Sequence, residues 1–406
     1  MNLNNNNVNT SNSYFAKAPQ EGIIAAILLS FLSTAGLFYV NLGGAFLSAF
    51  VDGLGISLQT AGYITAANKY GAAFGALVAV FTAGRWPWRR VAYVVLLTII
   101  AIDFASMTIT DGNTLIAIRF LQGSFGGFLV GTGFSVIALT KAPDRVFGML
   151  LVVQYSFGSI GIMFVPRLVA TLGHSAVFWA LIIFSTITLL MLPFIADYKV
   201  KPRSLGAKTA SLGRGKAVLP LAASLFAIFL FQASNMGVAD YVFELGKSEG
   251  LQIEQMSTLV SVANWIAIGG ALLVYIFGVR FGRAIPITLG LLVAIGGTLA
   301  FHWSHSSSLY FMANAITGVM WAFLIPYLLG LSTAFDSQGR SAALAGFVSK
   351  MGLASGPMIA ATIVGSGNFE LIINVAAVGL LICALMAYKP AKMLDRTTSD
   401  NNLEQG

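Results

Sequence analysis

Twelve long apolar stretches follow one another along the chain, separated by short polar segments. A membrane-spanning helix needs about 20 mainly apolar residues, and the pattern therefore predicts an all-α membrane protein with twelve transmembrane helices. The first and seventh stretches are longer than a bilayer requires and are expected to tilt. The twelve stretches are residues 23–50, 60–82, 91–110, 114–138, 147–170, 175–196, 218–243, 255–278, 284–303, 308–332, 342–365 and 370–388.

The chain divides into two halves that repeat one another. Residues of the first half match the second at an offset of about 195, the kind of internal symmetry that transporters show. Gly55 matches Gly250, and Arg145 matches Arg340. We therefore predict two pseudo-symmetric six-helix halves with flanking polar segments. The predicted units are a disordered cytoplasmic tail (1–20), the N-terminal half (21–197), a cytoplasmic linker (198–217), the C-terminal half (218–390) and a second cytoplasmic tail (391–406).

Composition supports the membrane assignment. Hydrophobic residues make up 57% of the chain and charged residues only 9%, whereas a soluble domain carries about 25% charged residues. Mean hydropathy is +0.82. The net charge of +8 comes from basic residues at alternate turns, which is the positive-inside pattern of membrane proteins. It predicts a lipid bilayer as partner, no nucleic acid, and both termini in the cytoplasm. The short loops are typical of a bacterial inner membrane.

Metal, cofactor and catalytic signatures do not emerge. The single cysteine, Cys383, lies in an apolar run, and the three histidines are scattered without metal-ligand spacing. No glycine loop of the phosphate-binding type is found. The sequence therefore predicts no metal, no cofactor, no enzymatic activity and no transport driven by ATP hydrolysis.

Two lysines, Lys69 and Lys350, lie near the middle of predicted spans. A charge at that depth costs roughly 2.5–3.5 kcal/mol on insertion scales, so such residues tend to be functional. Each stands two residues before a glycine, Gly71 or Gly352, and so points about 200° away from it around the helix. Both are predicted to face a central cavity and to bind an anion. The alternative is a structural lysine that snorkels or forms a salt bridge.

Two aspartates are candidates for carrying protons. Asp240 follows Gln232 and Asn235, which share a helix face, and a carboxylate in an apolar site can bind and release a proton. Its alternative is a position in the headgroup region beside Glu244, at the end of the helix. Asp103 is the second candidate, and its alternative is pairing with a nearby basic residue.

Short motifs resemble those of the major facilitator superfamily. Arg119 to Gly123 reads RFLQG, similar to the family's RxxQG pattern on helix 4. The loop from Gly84 to Arg90 stands where the family has its GxxxDRxGRR signature, but the acidic residue is missing. Val279 to Arg283 keeps an FGR core, again without the aspartate. In the family this loop is thought to latch the halves in one state, so the missing aspartate puts that latch in doubt.

The resemblance implies a fold in which helices 1, 4, 7 and 10 line a cavity and helices 2, 5, 8 and 11 lie at the interface of the halves. We expect a secondary active transporter of a small organic solute, an anionic carboxylate, coupled to protons by alternating access and functional as a monomer. The alternative is a proton-coupled efflux pump for drugs, siderophores or other amphipathic compounds. The predicted substrate-binding residues are Lys69, Lys350, Arg119, Gln122, Tyr155, Gln232, Asn235 and Trp321.

Overall fold

In a computed structural model, the chain is a bundle of α-helices. The structure describes residues 17–82, 85–198, 218–278, 280–335, 340–365 and 367–403. The predicted N-terminal tail and linker therefore lie almost entirely outside the described residues. The helices are α1 (Ile23–Ala35), α2 (Phe38–Asn41), α3 (Gly43–Leu54), α4 (Leu58–Thr82), α5 (Trp88–Ser106), α6 (Gly112–Ile137), α7 (Pro143–Leu172), α8 (Ser175–Met191), α9 (Val218–Ala239), α10 (Val242–Ser248), α11 (Ile253–Phe277), α12 (Ala284–Leu299), α13 (Ser307–Thr333), α14 (Arg340–Val364) and α15 (Phe369–Leu403).

Ten helices of the described chain are long and apolar enough to cross a membrane. Two predicted spans fall outside that set for different reasons. The first, 23–50, is broken into α1, α2 and α3. The third corresponds to α5, which carries Arg89, Arg90 and Asp103 within 19 residues. The all-α membrane class is thus confirmed, and the count of twelve stays a prediction. The helix α15 continues to Leu403, so much of the predicted tail 391–406 is helical.

Glycines set the closest helix contact of the N-terminal half. Side chains at Gly71 and Gly75 of α4 would overlap the backbone of α6 at Phe120 and Ser124. Gly123 and Gly127 of α6 stand in the same relation to α4. Small residues four apart let two helices approach to backbone contact, where van der Waals packing holds them without a hydrophobic driving force. The faces of α4 and α6 that carry small residues therefore pack against each other, and the larger side chains of both helices lie on their other faces.

The first and seventh predicted spans are not continuous helices. The first is interrupted at Gly36–Leu37, between α1 and α2, and again at Leu42, between α2 and α3, where the backbone leaves helical geometry. The seventh ends as α9 at Ala239 and resumes as α10 at Val242. Non-helical backbone at membrane depth is tolerated only where protein buries it or where it lines a cavity. These two breaks occupy corresponding helices of the two halves, and they mark the centre of the bundle.

Contacts between the halves gather at one end of the bundle, which we call the closed end and define by the turns at 55–57, 173–174 and 249–252. Lys247 binds Asp52 across the halves at 2.5 Å and also reaches Glu244 at 2.7 Å. Arg167 donates to Ser257 Oγ at 2.9 Å. The helix α7 is thereby fixed to α11, and Arg167 is a link between the two halves.

Candidate functional site

A cavity of about 430 Å³ lies between the two halves. Both halves contribute to it, through the broken first helix with α4 and α7 on one side, and through α9, α10, α11, α13 and α14 on the other. Its volume falls in the range of small-molecule sites, roughly 300–1,000 Å³. The lining reaches Leu329 and Gly346, near the ends of α13 and α14 that lie away from the closed end. The cavity therefore extends from the centre towards the end that carries the chain termini.

A buried ion pair, Lys69–Asp240, joins the two halves at the wall of this cavity. The two side chains are 1% and 2% exposed, and both line the cavity. Lys69 comes from the middle of α4, whereas Asp240 stands in the break between α9 and α10. Asp240 follows the last residue of α9 and is buried inside the protein, which speaks against its alternative position in the headgroup region. Each charge of the pair neutralises the other, and a buried charge without such a partner would be strongly destabilising.

The helix breaks create the space for this pair. A side chain at Gly43, the first residue of α3, would overlap the Asp240 carboxylate and would lie 3.3 Å from Lys69 Nζ. A side chain at Gly44 would meet the carbonyl oxygen of Ala239 at 3.0 Å. The two glycines thus let the first and seventh helices touch at the points where both are interrupted. Broken helices that meet at a binding site are typical of transporters.

Lys350 lies on the cavity wall without a carboxylate partner among the described residues. It comes from the middle of α14, and its neighbour in the chain, Ser349, accepts a hydrogen bond from Gln232 Nε2 at 2.8 Å. Gly352 packs tightly on α9, since a side chain there would lie 2.5 Å from Phe229 O. The lysine, on the other side of the helix, is directed to the cavity. Its charge differs from that of Lys69, because no acid among the described side chains pairs with it.

An amide and two aromatic rings shape the wall beside Lys350. Trp321 donates from its indole nitrogen to Gln232 Oε1 at 2.7 Å, so this amide is held from both sides. Tyr155, from the N-terminal half, stands edge-on to Trp321 with ring centroids 6.5 Å apart. Asn235 donates a hydrogen bond from its side-chain amide nitrogen to the backbone carbonyl oxygen of Phe231. The side-chain amide oxygen of Asn235 and the Tyr155 hydroxyl have no hydrogen bond of their own to a described residue, and both residues line the cavity.

Three of the predicted site residues form a second polar cluster, apart from the cavity. Arg119 of α6 donates to Asp103 Oδ1 of α5 at 2.8 Å, with both side chains 0% exposed. Its guanidinium lies 5.1 Å from the centre of the Phe178 ring. Gln122, one turn along, accepts from Asn68 at 2.5 Å. None of the three lines the cavity. Asp103 is thus paired with a nearby basic residue, the alternative to its predicted role as a proton carrier. Arg119 and Gln122 lie outside the cavity in this conformation, and their substrate contacts stay a prediction.

The structure therefore brings seven predicted site residues together and separates three. Those around the cavity are Lys69, Lys350, Tyr155, Gln232, Asn235, Trp321 and Asp240. Site residues that the sequence analysis did not select include Ser349, Asn314 and Thr317, which line the cavity from α14 and α13. Polar side chains in apolar helices were the available signal for them. The pair Gly43–Gly44 was a further signal, since adjacent glycines in a span indicate close backbone approach.

Comparison with known proteins decides the family. The sequence profile described as Major Facilitator Superfamily matches residues 23–350. The chain belongs to the Major Facilitator Superfamily. No curated protein sequence matches this chain significantly.

Solved structures of the superfamily share its fold. A crystal structure of a mutant of the nucleoside transporter NupG superposes with a TM-score of 0.70 at 14% identity and covers 91% of this chain and 99% of its own. The crystal structure of the human organic anion transporter MFSD10 (TETRAN) gives a TM-score of 0.61 at 16% identity, over 89% of this chain and 97% of its own. At these identities the likeness establishes the fold. This superfamily chain is a multi-pass integral membrane protein of a transporter family.

Proposed function

We propose that this protein is a secondary active transporter that carries a small organic anion by alternating access. The observation that carries the proposal is the charge balance of the cavity. Lys69 is neutralised by Asp240, whereas Lys350 has no acid against it among the described residues. Lys350 is half-buried, and a charged group that loses its remaining water when a substrate binds needs a partner of opposite sign. A carboxylate on the substrate is the partner that Lys350 lacks, and Lys350 rather than Lys69 is its primary contact.

The neighbouring groups suit an oxygen-rich organic acid. Tyr155 can donate its hydroxyl, and the carbonyl of Asn235 can accept from a substrate hydroxyl or amine. Trp321 offers a ring face, because its indole nitrogen is already engaged by Gln232. One charged contact, a few hydrogen bonds and an apolar wall are the usual composition of a small-molecule site.

The pair Lys69–Asp240 is our candidate for ion coupling. Because its partners belong to different halves, any rocking of one half against the other must stretch or break it. An acid whose basic partner withdraws becomes a site for a proton, since burial favours its neutral form. In this proposal, Asp240 binds a proton when the pair opens and releases it when the pair reforms. Asp103, the other predicted proton carrier, is held within one half and is not exposed by such a movement.

The contacts at the closed end define one state of the alternating-access cycle. Lys247–Asp52 and the bonds of Arg167 cross between the halves there, while the cavity extends towards the other end. The distribution of Lys and Arg predicts that the chain termini lie in the cytoplasm. With that orientation, the proposed cycle has the described state as its inward-facing one. Fusion of a reporter to Gly406 tests the orientation, since a reporter that works only outside the cytoplasm would contradict it.

A proton-coupled efflux pump for amphipathic compounds is the second candidate. The observation in its favour is the apolar and aromatic part of the wall, to which Phe243, Tyr155 and Trp321 contribute. Such a pump would bind neutral or cationic amphiphiles through aromatic faces, with little dependence on Lys350. One structural neighbour is an organic anion transporter, which agrees with the first candidate. The other is a nucleoside transporter, which favours neither candidate.

A thermal-shift screen of the purified protein separates the two candidates. A ligand that binds only the folded state raises the unfolding temperature by mass action. We expect organic acids to stabilise the wild type and to lose that effect in Lys350→Gln. Lys141→Gln is the matched control, because the Lys141 side chain is 83% exposed and lies outside the cavity. Stabilisation by amphipathic drugs alone, unchanged in Lys350→Gln, would reject the anion proposal.

A further inference from the structure

A groove lies on the outer surface of the N-terminal half, apart from the cavity between the halves. This surface groove, as we call it, has a volume of about 640 Å³ and lies among α4, α5 and α6. Its walls are almost wholly apolar, and they include Phe74, Val94 and Leu121. These three side chains are 53%, 63% and 45% exposed. On a membrane protein, such a surface at span depth faces lipid tails.

One end of the surface groove reaches the polar edge of the bundle. Trp86, Pro87 and Arg90 line it there, in the turn between α4 and α5 and the first residues of α5. The Trp86 side chain is 57% exposed, and tryptophans at such positions sit at the headgroup level of a membrane. The groove thus runs from the headgroup level into the hydrocarbon layer, as a lipid does.

The arginines at this end are not equally neutralised. Arg89 donates to Asp197 Oδ1 at 3.0 Å and to backbone carbonyl oxygens near it. Arg85 and Arg90 are exposed, and neither has a carboxylate partner among the described residues. The sequence explains why, since the loop lacks the acidic residue of the superfamily pattern. One guanidinium group without an acid beside it, that of Arg90, therefore lines the end of an apolar groove, and a second, that of Arg85, belongs to the residue directly before the lining residue Trp86.

We propose that the surface groove binds an anionic glycerophospholipid. One acyl chain fills the apolar walls, and the phosphate-bearing headgroup lies against Arg90 and Arg85. Arginine pairs with phosphate through parallel hydrogen bonds, which a lysine or a neutral side chain does not match. The lipid supplies the negative charge that the loop itself lacks. The proposal is independent of the transported substrate, because the groove and the cavity share no lining residue.

Quenching of Trp86 fluorescence tests this site. The full chain is reconstituted in lipid nanodiscs that contain equal mole fractions of acyl-brominated phosphatidylglycerol or acyl-brominated phosphatidylcholine in an unlabelled phosphatidylcholine background. The Trp86 signal is the difference between the wild type and Trp86→Phe. We expect stronger quenching by the anionic lipid. An arginine near the surface favours anionic lipid by about fivefold, so Arg85→Gln/Arg90→Gln should reduce the preference by about that factor or more.

Two further variants make the result decisive. Arg280 is the repeat partner of Arg85 in the other half, and it does not line the groove. The variant Arg280→Gln should therefore keep the preference for the anionic lipid. Val94→Phe fills the groove and should reduce quenching by both lipids. The proposal is overturned if both brominated lipids quench Trp86 equally in the wild type. It is overturned as well if the preference survives in Arg85→Gln/Arg90→Gln, or if Arg280→Gln abolishes it equally.

Discussion

Among the described residues, two ion pairs have both side chains buried, and each joins a basic side chain to an aspartate in different surroundings. Arg119–Asp103 lies within the N-terminal half, with both side chains 0% exposed and away from the cavity. Lys69–Asp240 joins the two halves and lines the cavity. A guanidinium cannot lose its proton in a protein, whereas an amine can. One pair is sealed within a half, whereas the other lies between the halves, where the proposed transport cycle would open it.

The largest expected effect is on the free energy of unfolding when the aspartate of each pair is replaced. Removing one partner of a buried pair costs about 3–5 kcal/mol, because the remaining charge is left without compensation. Asp103→Asn should suffer this loss, since Arg119 must stay charged and is sealed off. Asp240→Asn should lose clearly less, because the Lys69 amine can release its proton or meet water from the cavity. Unfolding of both variants in detergent, followed by fluorescence, measures the difference.

The control for this experiment is Asp103→Asn/Arg119→Gln, which removes the stranded charge and should recover part of the loss. Equal destabilisation by Asp103→Asn and Asp240→Asn would contradict the distinction between a fixed pair and a pair that opens.

The next effect concerns Lys350, which has no carboxylate partner among the described residues. Lys350→Gln should raise the KM for an organic anion by about 10- to 100-fold, since a hydrogen bond to a charged group contributes about 1.5–3 kcal/mol. Lys350→Arg should also impair transport, because a planar fork does not replace a compact ammonium. Uptake into proteoliposomes measures both. An unchanged KM in Lys350→Gln would contradict the assignment of the anion contact to Lys350 and would point to Lys69 instead.

A smaller effect is expected from the ion pair at the closed end. Lys247 and Asp52 are partly exposed, and such pairs contribute about 0.2–1 kcal/mol. Asp52→Asn, which removes the pair, should therefore shift the population of outward-open molecules by at most about fivefold, and Asp52→Lys should shift it further in the same direction, because it adds repulsion between like charges. Val40 lines the cavity, so a membrane-impermeant thiol reagent added from the closed-end side labels Val40→Cys only when that end opens. The background is low, because the native Cys383 is buried. The double variant Asp52→Lys/Lys247→Asp should restore the labelling rate of the parent. No recovery would mean that this contact does not hold the closed end.

The smallest effect belongs to an exposed pair, which serves as a reference for the buried ones. Hydrogen bonds from Lys17, and then Arg89, hold the pKa of Asp197 below its usual value. A lowered pKa means that the contact stabilises the protein at neutral pH, and that this contribution is lost as the pH falls through the lowered value, below about 3.9. Because Asp197 is 63% exposed, Asp197→Asn should cost less than about 1 kcal/mol. The difference in unfolding temperature between wild type and Asp197→Asn should shrink on acidification. A difference that grows in acid would contradict the sign.

The sequence predicted the helices well where hydrophobic length alone decides them. Residues 60–82 and 308–332 correspond to Leu58–Thr82 and Ser307–Thr333. The breaks in the first and seventh helices were not predicted, because Gly36 and Asp240 lie in stretches that remain apolar enough to span. At Gly43, Gly44 and Asp240 the two broken helices touch. This contact joins the two halves, so the hydrophobic pattern of one helix alone does not predict it.

The candidate site was predictable in its members but not in its pairings. A lysine in an apolar span signals function by its cost, and this reasoning found Lys69 and Lys350. The partner of Lys69 stands 171 residues away in the sequence, and it meets the lysine only because the two halves dock. The position of Arg119 was misleading for the same reason. The RxxQG motif identified the helix, but the direction of the side chain depends on α5 and on Phe178 packed beside it.

Transport by Asp240→Asn is the most direct test of the central claim, that the pair between the halves couples an ion to substrate movement. The amide keeps the size and polarity of the carboxyl but cannot carry a proton. In proteoliposomes, the variant should exchange labelled organic anion across the membrane at a rate close to that of the wild type. It should fail to accumulate the anion under a pH gradient that drives accumulation by the wild type. Full pH-driven accumulation by Asp240→Asn would contradict the claim and would leave Asp103 as the remaining predicted proton carrier.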